Sequence, residues 1–194
     1  MTDKIKQILK VASDIHAGVN QFYDKDKPYS VHLEAVLSNA LIYGEDLPDF
    51  ERYKEVIAFG ACFHDTIEDA RLTYNDVKKI ALDFFDQDDA VVATEIVYAL
   101  TNEKGRNRAE RENDKYFDGI RNTPFAPFVK CCDRLANFKY SINHESKMVK
   151  AYYKEMPEFL SRLSGGNGGI PERLINKIND LMTIVCTKFE TPRT

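Results

Sequence analysis

The sequence is short of the features that mark several large protein classes. It has four cysteines, Cys62, Cys131, Cys132 and Cys186, and no Cys-x-x-Cys pair. Cys131 and Cys132 are adjacent, a poor geometry for a mutual disulfide or a zinc clip, so the four read as buried, reduced thiols. No stretch approaches the roughly 18 apolar residues of a membrane span. The first ten residues, MTDKIKQILK, hold no signal-peptide core. Both absences point to a cytoplasmic chain without membrane contact. Positive charge is not in excess either: 27 Lys and Arg face 31 Asp and Glu, for a net charge of −4 and a pI near 5.6. Such a balance does not hold DNA or RNA by broad electrostatics. A phosphate-bearing ligand would need a local cluster of Lys, Arg or metal. Strand-like alternation and internal repeats are also missing.

What is present is helical spacing. The 194 residues suit a single domain, 1–194, with its core in about residues 5–160. Ile5, Ile8, Leu9, Ala12, Ile15 and Val19 follow one helix face, behind Thr2 and Asp3 as N-terminal signals. A second helix starts near Ser30, with Leu33, Val36, Leu37, Ala40 and Leu41 inward and Gly44 placed to end it. Pro48 and Asp49 open a third that runs to His64. Thr73 and Asp76 form an acidic capping box, with Leu72 able to staple onto Val77. Another helix spans about Asp88 to Leu100. Residues 103–115, EKGRNRAERENDK, read as a solvated loop and first helical turn, with a mobile flap over a polyanion as the sharper alternative. Helices then follow Pro124 and Pro127, run from about Ser146 to Leu160 with a kink at Pro157, and close the chain after the flexible linker SGGNGG at 164–169. The fold expected is all-α, a bundle of roughly eight or nine helices.

The chemistry concentrates where polar groups emerge from apolar stripes. His64 and Asp65 end such a stripe in ACFHDTIEDA, a costly placement unless they are paired or bound to a metal. On a continuing helix Glu68 and Asp69, the i+4 neighbours, crowd the same side, and a cation would relieve their repulsion. Asp133 lies within the apolar helix of KCCDRLANF, with Asn137 one turn on, and His32 sits at the edge of the second helix's inner face. Two imidazoles and two carboxylates make a mixed N/O set that suits Mn, Fe, Co, Ni or Zn better than Ca or Mg. Four protein ligands leave positions open for water and substrate, as hydrolysis requires. His16 reads as a buried structural residue of the first helix.

The order His32, then His64-Asp65, then Asp133, each in its own helix, resembles the H…HD…D signature of the HD superfamily of metal-dependent phosphohydrolases. HAG at 16–18, PYSVH at 28–32, HDTIED at 64–69, LTNEK at 100–104 and KCCDRLAN at 130–137 are similar to the hydrolase domain of RelA/SpoT proteins and their small stand-alone relatives. The resemblance implies a hydrolase domain alone, which removes the 3′-pyrophosphate from guanosine tetra- or pentaphosphate. It implies one manganese ion on His32, His64, Asp65 and Asp133. Glu68 and Asp69 would activate the attacking water or protonate the leaving group. Asn137 would meet the nucleotide, Lys104 would reach its phosphates, and Lys150, Tyr152 and Tyr153 fall where the family places further nucleotide contacts. Aromatics at helical spacing otherwise read as core. One segment departs from the pattern. Family members carry an Arg-Lys pair between HAG and PY that holds the guanine and phosphate end; here VNQFYDKDK has no arginine, and Lys25 or Lys27 is left to replace part of it. That departure favours an HD phosphohydrolase for another nucleotide; a non-catalytic nucleotide-binding domain is a separate alternative, against which all four ligand residues with Glu68 and Asp69 are present.

Overall fold

The computed structural model describes residues 1–102 and 104–190, apart from the side chains of 108, 109, 189 and 190. Among them the chain forms α1 (Asp3–Gly18), a hairpin of β1 (Phe22–Asp24) and β2 (Lys27–Pro28), α2 (Ser30–Gly44), α3 (Phe50–Phe63), α4 (Tyr74–Leu82) and α5 (Gln87–Leu100). It continues with α6 (Arg108–Arg111), α7 (Asp114–Asn122), α8 (Ala126–Asn143), α9 (Met148–Leu163) and α10 (Glu172–Glu190). α6 is a single turn of 4 residues, which leaves nine full helices among the described residues and an all-α architecture. No described helix is long and apolar enough to cross a membrane.

Several helix ends follow from their own side chains. The Thr2 hydroxyl accepts the Ile5 N–H and starts α1. Thr73 and Asp76 close the capping box of α4 in both directions. Asp86 and Asn113 cap α5 and α7 by accepting the N–H groups of Asp89 and Tyr116. Pro157 lies inside α9. The end of α2 differs from the expectation: Gly44 is its last helical residue, and Glu45 after it is still right-handed, so no left-handed cap forms. Gly44 is required for packing instead, because a Cβ there would run into the Phe50 ring that opens α3.

The hairpin is a second departure. Its strands are three and two residues long, with Phe22 opposite Pro28 and Asp24 opposite Lys27. Strands so short have no periodicity to read. The charged segment matches its plainer reading: Lys104, Arg106, Asn107, Glu110 and Arg111 are exposed, the short turn α6 interrupts them, and residue 103 lies outside the described residues.

The core is one continuous cluster that runs from Ile5 of α1 to Val185 of α10. α2 packs against both α3 and α8, and α1 lies across α2 and α3. Asn39 of α2 donates to the Cys132 carbonyl of α8 at 2.9 Å, a buried polar tie beside Asp133. Cys62, Cys131 and Cys132 are buried and Cys186 is half-buried, and none of the four forms a disulfide among the described residues. Burial pushes the Cys131 thiol up to about 12. Three helices therefore meet at one point, and the polar residues there are held by an apolar frame.

Candidate metal centre

His32 enters from the first turn of α2, Asp133 from the middle of α8, and His64 and Asp65 from the end of α3. The local geometry at α3 corrects one expectation. The helix stops at Phe63, and residues 64–69 form a turn rather than a continuation. The turn keeps some helical bonds, with Asp69 N–H donating to the Asp65 carbonyl at 2.8 Å and Ala70 N–H to Thr66 at 3.1 Å. It is closed by Thr66, whose buried hydroxyl donates to the Phe63 carbonyl at 2.7 Å. Glu68 lies on this turn. Its carboxylate accepts from the backbone and side chain of Asn102, just past α5, the second of these at 3.1 Å.

The three elements bring four ligand-type side chains together. The Nε2 atoms of His32 and His64 lie 3.2 Å apart. Asp65 Oδ2 is 2.8 Å from His64 Nε2 and 3.6 Å from His32 Nε2. Asp133 Oδ1 is 3.4 Å from His32 Nε2 and 3.8 Å from His64 Nε2. His32, His64 and Asp65 offer atoms all within 4.8 Å of one another. Both imidazoles are buried to within 2% of full exclusion from solvent, so their convergence cannot be a solvated surface pairing.

The electrostatics follow from this crowding. Burial pushes the His32 imidazole down, but hydrogen bonds to Asp133 and Asp65 and the charges of both outweigh it and bring it up to about 9. His64 is raised in the same way, chiefly by Asp65 against its burial. Burial likewise opposes ionisation of Asp65 and Asp133; His64 and His32 reverse it for Asp65, and Lys130 with His32 reverses it for Asp133, so both carboxyls stay well below the usual range. The two carboxylates are thus balanced by shared protons, which a divalent cation would replace. The donor set fits such an ion. His64 Nδ1 faces the Ala61 carbonyl at 2.9 Å, which assigns the ring N–H to that side and turns Nε2 with its lone pair toward the cluster.

Around the four lie partners that the sequence did not announce. The buried Tyr29 donates to Asp65 Oδ2 at 2.5 Å and stacks on His16, with ring centres 4.3 Å apart. His16 is fully buried on α1, as expected, and burial pushes its imidazole down to about 4. Lys130, one turn before Asp133, places its buried ammonium 3.3 Å from Asp133 Oδ2. Tyr23 of the hairpin stacks on His32 and donates to Asn137 Oδ1 at 3.0 Å, while Asn137 donates to Asp133 Oδ1 at 2.5 Å. Helix periodicity marks Lys130 as a neighbour of Asp133 (i, i+3), and PYSVH places Tyr29 three residues before His32. Tyr23 had no such signal.

Glu68 and Asp69 stand at the rim. Partial desolvation raises both carboxyls, reinforced in each by the negative charge of Asp65. Lys25 and Lys104 are exposed, as is Lys150 on α9, and Tyr153 is half-buried. Lys27 is turned toward α8, with Nζ 2.9 Å from His144 Nε2. A separate cavity of about 360 Å³ is lined by residues of α7, α8 and α9 with Glu112, among them Arg134 and Arg162. Arg134 lies 3.3 Å from Glu155 and stacks over Phe159, so that cavity is an ion-paired wall rather than part of the cluster.

Buried histidines and aspartates thus converge from separate elements of an all-α bundle in a set that could hold a metal ion, and known proteins of similar fold can be compared directly. No family model matches the chain. A curated relative from Danio rerio, the guanosine-3′,5′-bis(diphosphate) 3′-pyrophosphohydrolase MESH1, is 24% identical over 179 residues, covering 89% of this chain and 91% of that protein. A solved structure described as a metazoan ortholog of SpoT that hydrolyzes ppGpp and plays a role in starvation responses has the same fold. Its TM-score is 0.68 at 18% identity, over 95% of this chain and 97% of that one. The resemblance carried by the motifs to HD-type, stand-alone ppGpp hydrolases therefore extends along nearly the whole chain and to its fold.

Proposed function

We propose that the chain is a metal-dependent phosphohydrolase that removes the 3′-pyrophosphate of guanosine tetra- or pentaphosphate. The observation that carries this reading is the buried meeting of His32, His64, Asp65 and Asp133, in a chain alike over nearly its whole length with relatives described as hydrolysing ppGpp. His32 Nε2, His64 Nε2 and the two carboxylates would hold the ion, with manganese the preferred candidate and other divalent transition metals chemically admissible. When bound, such an ion acidifies a water molecule and neutralises phosphate oxygens.

The remaining work falls to the chain's own residues. Tyr29 fixes Asp65, and Lys130 fixes Asp133 while adding positive charge beside the cluster. Glu68 and Asp69, both raised, are suited to take or return a proton at the edge of the site. Asn137 uses one amide hydrogen on Asp133 and one lone pair on Tyr23, which leaves a second donor and lone pair for a nucleotide. Lys104, Lys25, Lys27, Lys150 and Tyr153 are proposed only as contacts to the substrate's distal parts.

A second reading has an observation in its favour. Where the family holds an arginine and a lysine, the hairpin presents Tyr23 and Asp24, the latter an ionised carboxylate that accepts from Tyr140 at 2.8 Å. That edge suits a nucleotide other than guanosine tetraphosphate. Incubation with a nucleotide panel and Mn²⁺ decides between them: the first reading expects pyrophosphate from guanosine 3′,5′-bis(diphosphate), the second expects turnover of another member only. Absence of turnover for every member would leave a binding domain.

The His32 shift gives a further expected result. Below about pH 9 a metal must displace the His32 proton, whereas both aspartates are already ionised. Metal affinity should therefore rise with pH, by at least about tenfold per unit below pH 9 because the raised His64 can also give up a proton, and then level off. Mn²⁺ titration in a weakly coordinating buffer measures this, and a flat profile would contradict the assignment of His32.

A further inference from the structure

We infer that Tyr23 is a positioning residue that sets the metal-ligand geometry through two ligands at once, His32 and Asp133. This inference rests on the metal-centre reading above. A ligating imidazole is ordinarily held by a hydrogen bond to its second nitrogen. His64 has one, from its Nδ1 to the Ala61 carbonyl. His32 does not: its Nδ1 is buried without a partner among the described residues. What fixes the His32 ring is packing. Tyr23 stacks on it with centres 4.8 Å apart and planes 20° from parallel, and Tyr29 meets it edge-on at 5.4 Å.

The same phenol reaches the α8 ligand through a relay. Tyr23 O–H donates to Asn137 Oδ1 at 3.0 Å, and Asn137 Nδ2 donates to Asp133 Oδ1 at 2.5 Å. A hydroxyl that donates at one end and a carboxylate that only accepts at the other leave the Asn137 amide a single orientation. Asp133 Oδ1 is also the oxygen 3.4 Å from His32 Nε2. Ring stacking and hydrogen bond therefore act on neighbouring atoms of the same centre.

The hairpin that carries Tyr23 is itself fastened to α8. Tyr140 O–H donates to Asp24 at 2.8 Å, Lys27 Nζ lies 2.9 Å from His144 Nε2, and Tyr23 meets Tyr140 edge-on at 4.5 Å. The hairpin thus braces α2 against α8 at the level of the ligands. Tyr23 touches neither reacting atoms nor, in this proposal, the ion.

Mn²⁺ affinity and the Co²⁺ d–d spectrum of the purified full chain test this without reference to turnover. Tyr23→Leu, which loses both ring and hydroxyl, is expected to weaken Mn²⁺ binding about 10–100-fold and to shift the cobalt bands. Tyr23→Phe keeps the stack and is expected to show a smaller loss, which vanishes in an Asn137→Ala background because the relay is already cut. Wild-type affinity and an unchanged cobalt spectrum in both Tyr23 variants would overturn the inference while the metal centre stands, even if their melting temperature falls. A wild-type chain that binds no metal would overturn the inference and the metal-centre reading together.

Discussion

Asp65→Ala is expected to take the bound metal from about one per chain to almost none, with hydrolysis lost in parallel. Asp65 is the carboxylate nearest the imidazoles, 2.8 Å from His64 Nε2, and its position is fixed by the Tyr29 hydroxyl. Its removal deletes a proposed ligand outright, so the loss of affinity should exceed the roughly 10–100-fold typical of an outer-shell partner. It also strips His32 and His64 of a counter-charge. Burial then acts on both rings with less opposition, and the site keeps one carboxylate where it had two. The helices should persist, because Asp65 lies on the turn after α3 and outside the apolar core. Metal analysis after purification, together with circular dichroism, gives the result directly. A fully active, metal-loaded Asp65→Ala protein would remove Asp65 from the site.

Glu68→Gln should separate catalysis from metal binding. The amide has the size of the carboxylate, and its oxygen can still accept from the Asn102 backbone, so the turn at 64–69 is retained. What disappears is a group able to exchange a proton. Metal content should be unchanged and kcat should fall by about 10²–10⁴, the span of general acid–base catalysis. The raised Glu68 carboxyl gives the sign of the pH effect. If Glu68 works as a base, the wild-type rate rises with pH through a range above that of an ordinary carboxylate, and this limb flattens in Glu68→Gln. Equal loss of metal and activity would make Glu68 a ligand instead.

How far these residues could be read in advance depended on whether they carry a local signal. His32, His64, Asp65 and Asp133 are polar groups within or at the end of apolar stripes, and the cost of burying them marks them without a structure. The caps at Thr2 and Thr73 and the long stripes of α1, α8 and α10 are equally local. Tyr23 lies on strands too short for any period, held by Asp24–Tyr140 and Lys27–His144 contacts across more than a hundred residues of sequence. Such a contact leaves no mark on its own neighbourhood. The break of α3 at Phe63 was hidden for a different reason. The stripe in ACFHDTIEDA runs on through Ile67, so periodicity continues where the backbone turns, and only the Thr66 hydroxyl bond to Phe63 shows why. Gly44 carried a misleading signal: glycine after an apolar run suggests a cap, whereas the approach of the Phe50 ring decides its place.

Anomalous diffraction from crystals soaked in Mn²⁺, recorded at the manganese edge, tests the central claim most directly. One peak is expected, in contact with His32 Nε2, His64 Nε2 and carboxylate oxygens of Asp65 and Asp133. A chain that turns over a nucleotide with no peak there, or with its peak at another cluster, would contradict the account.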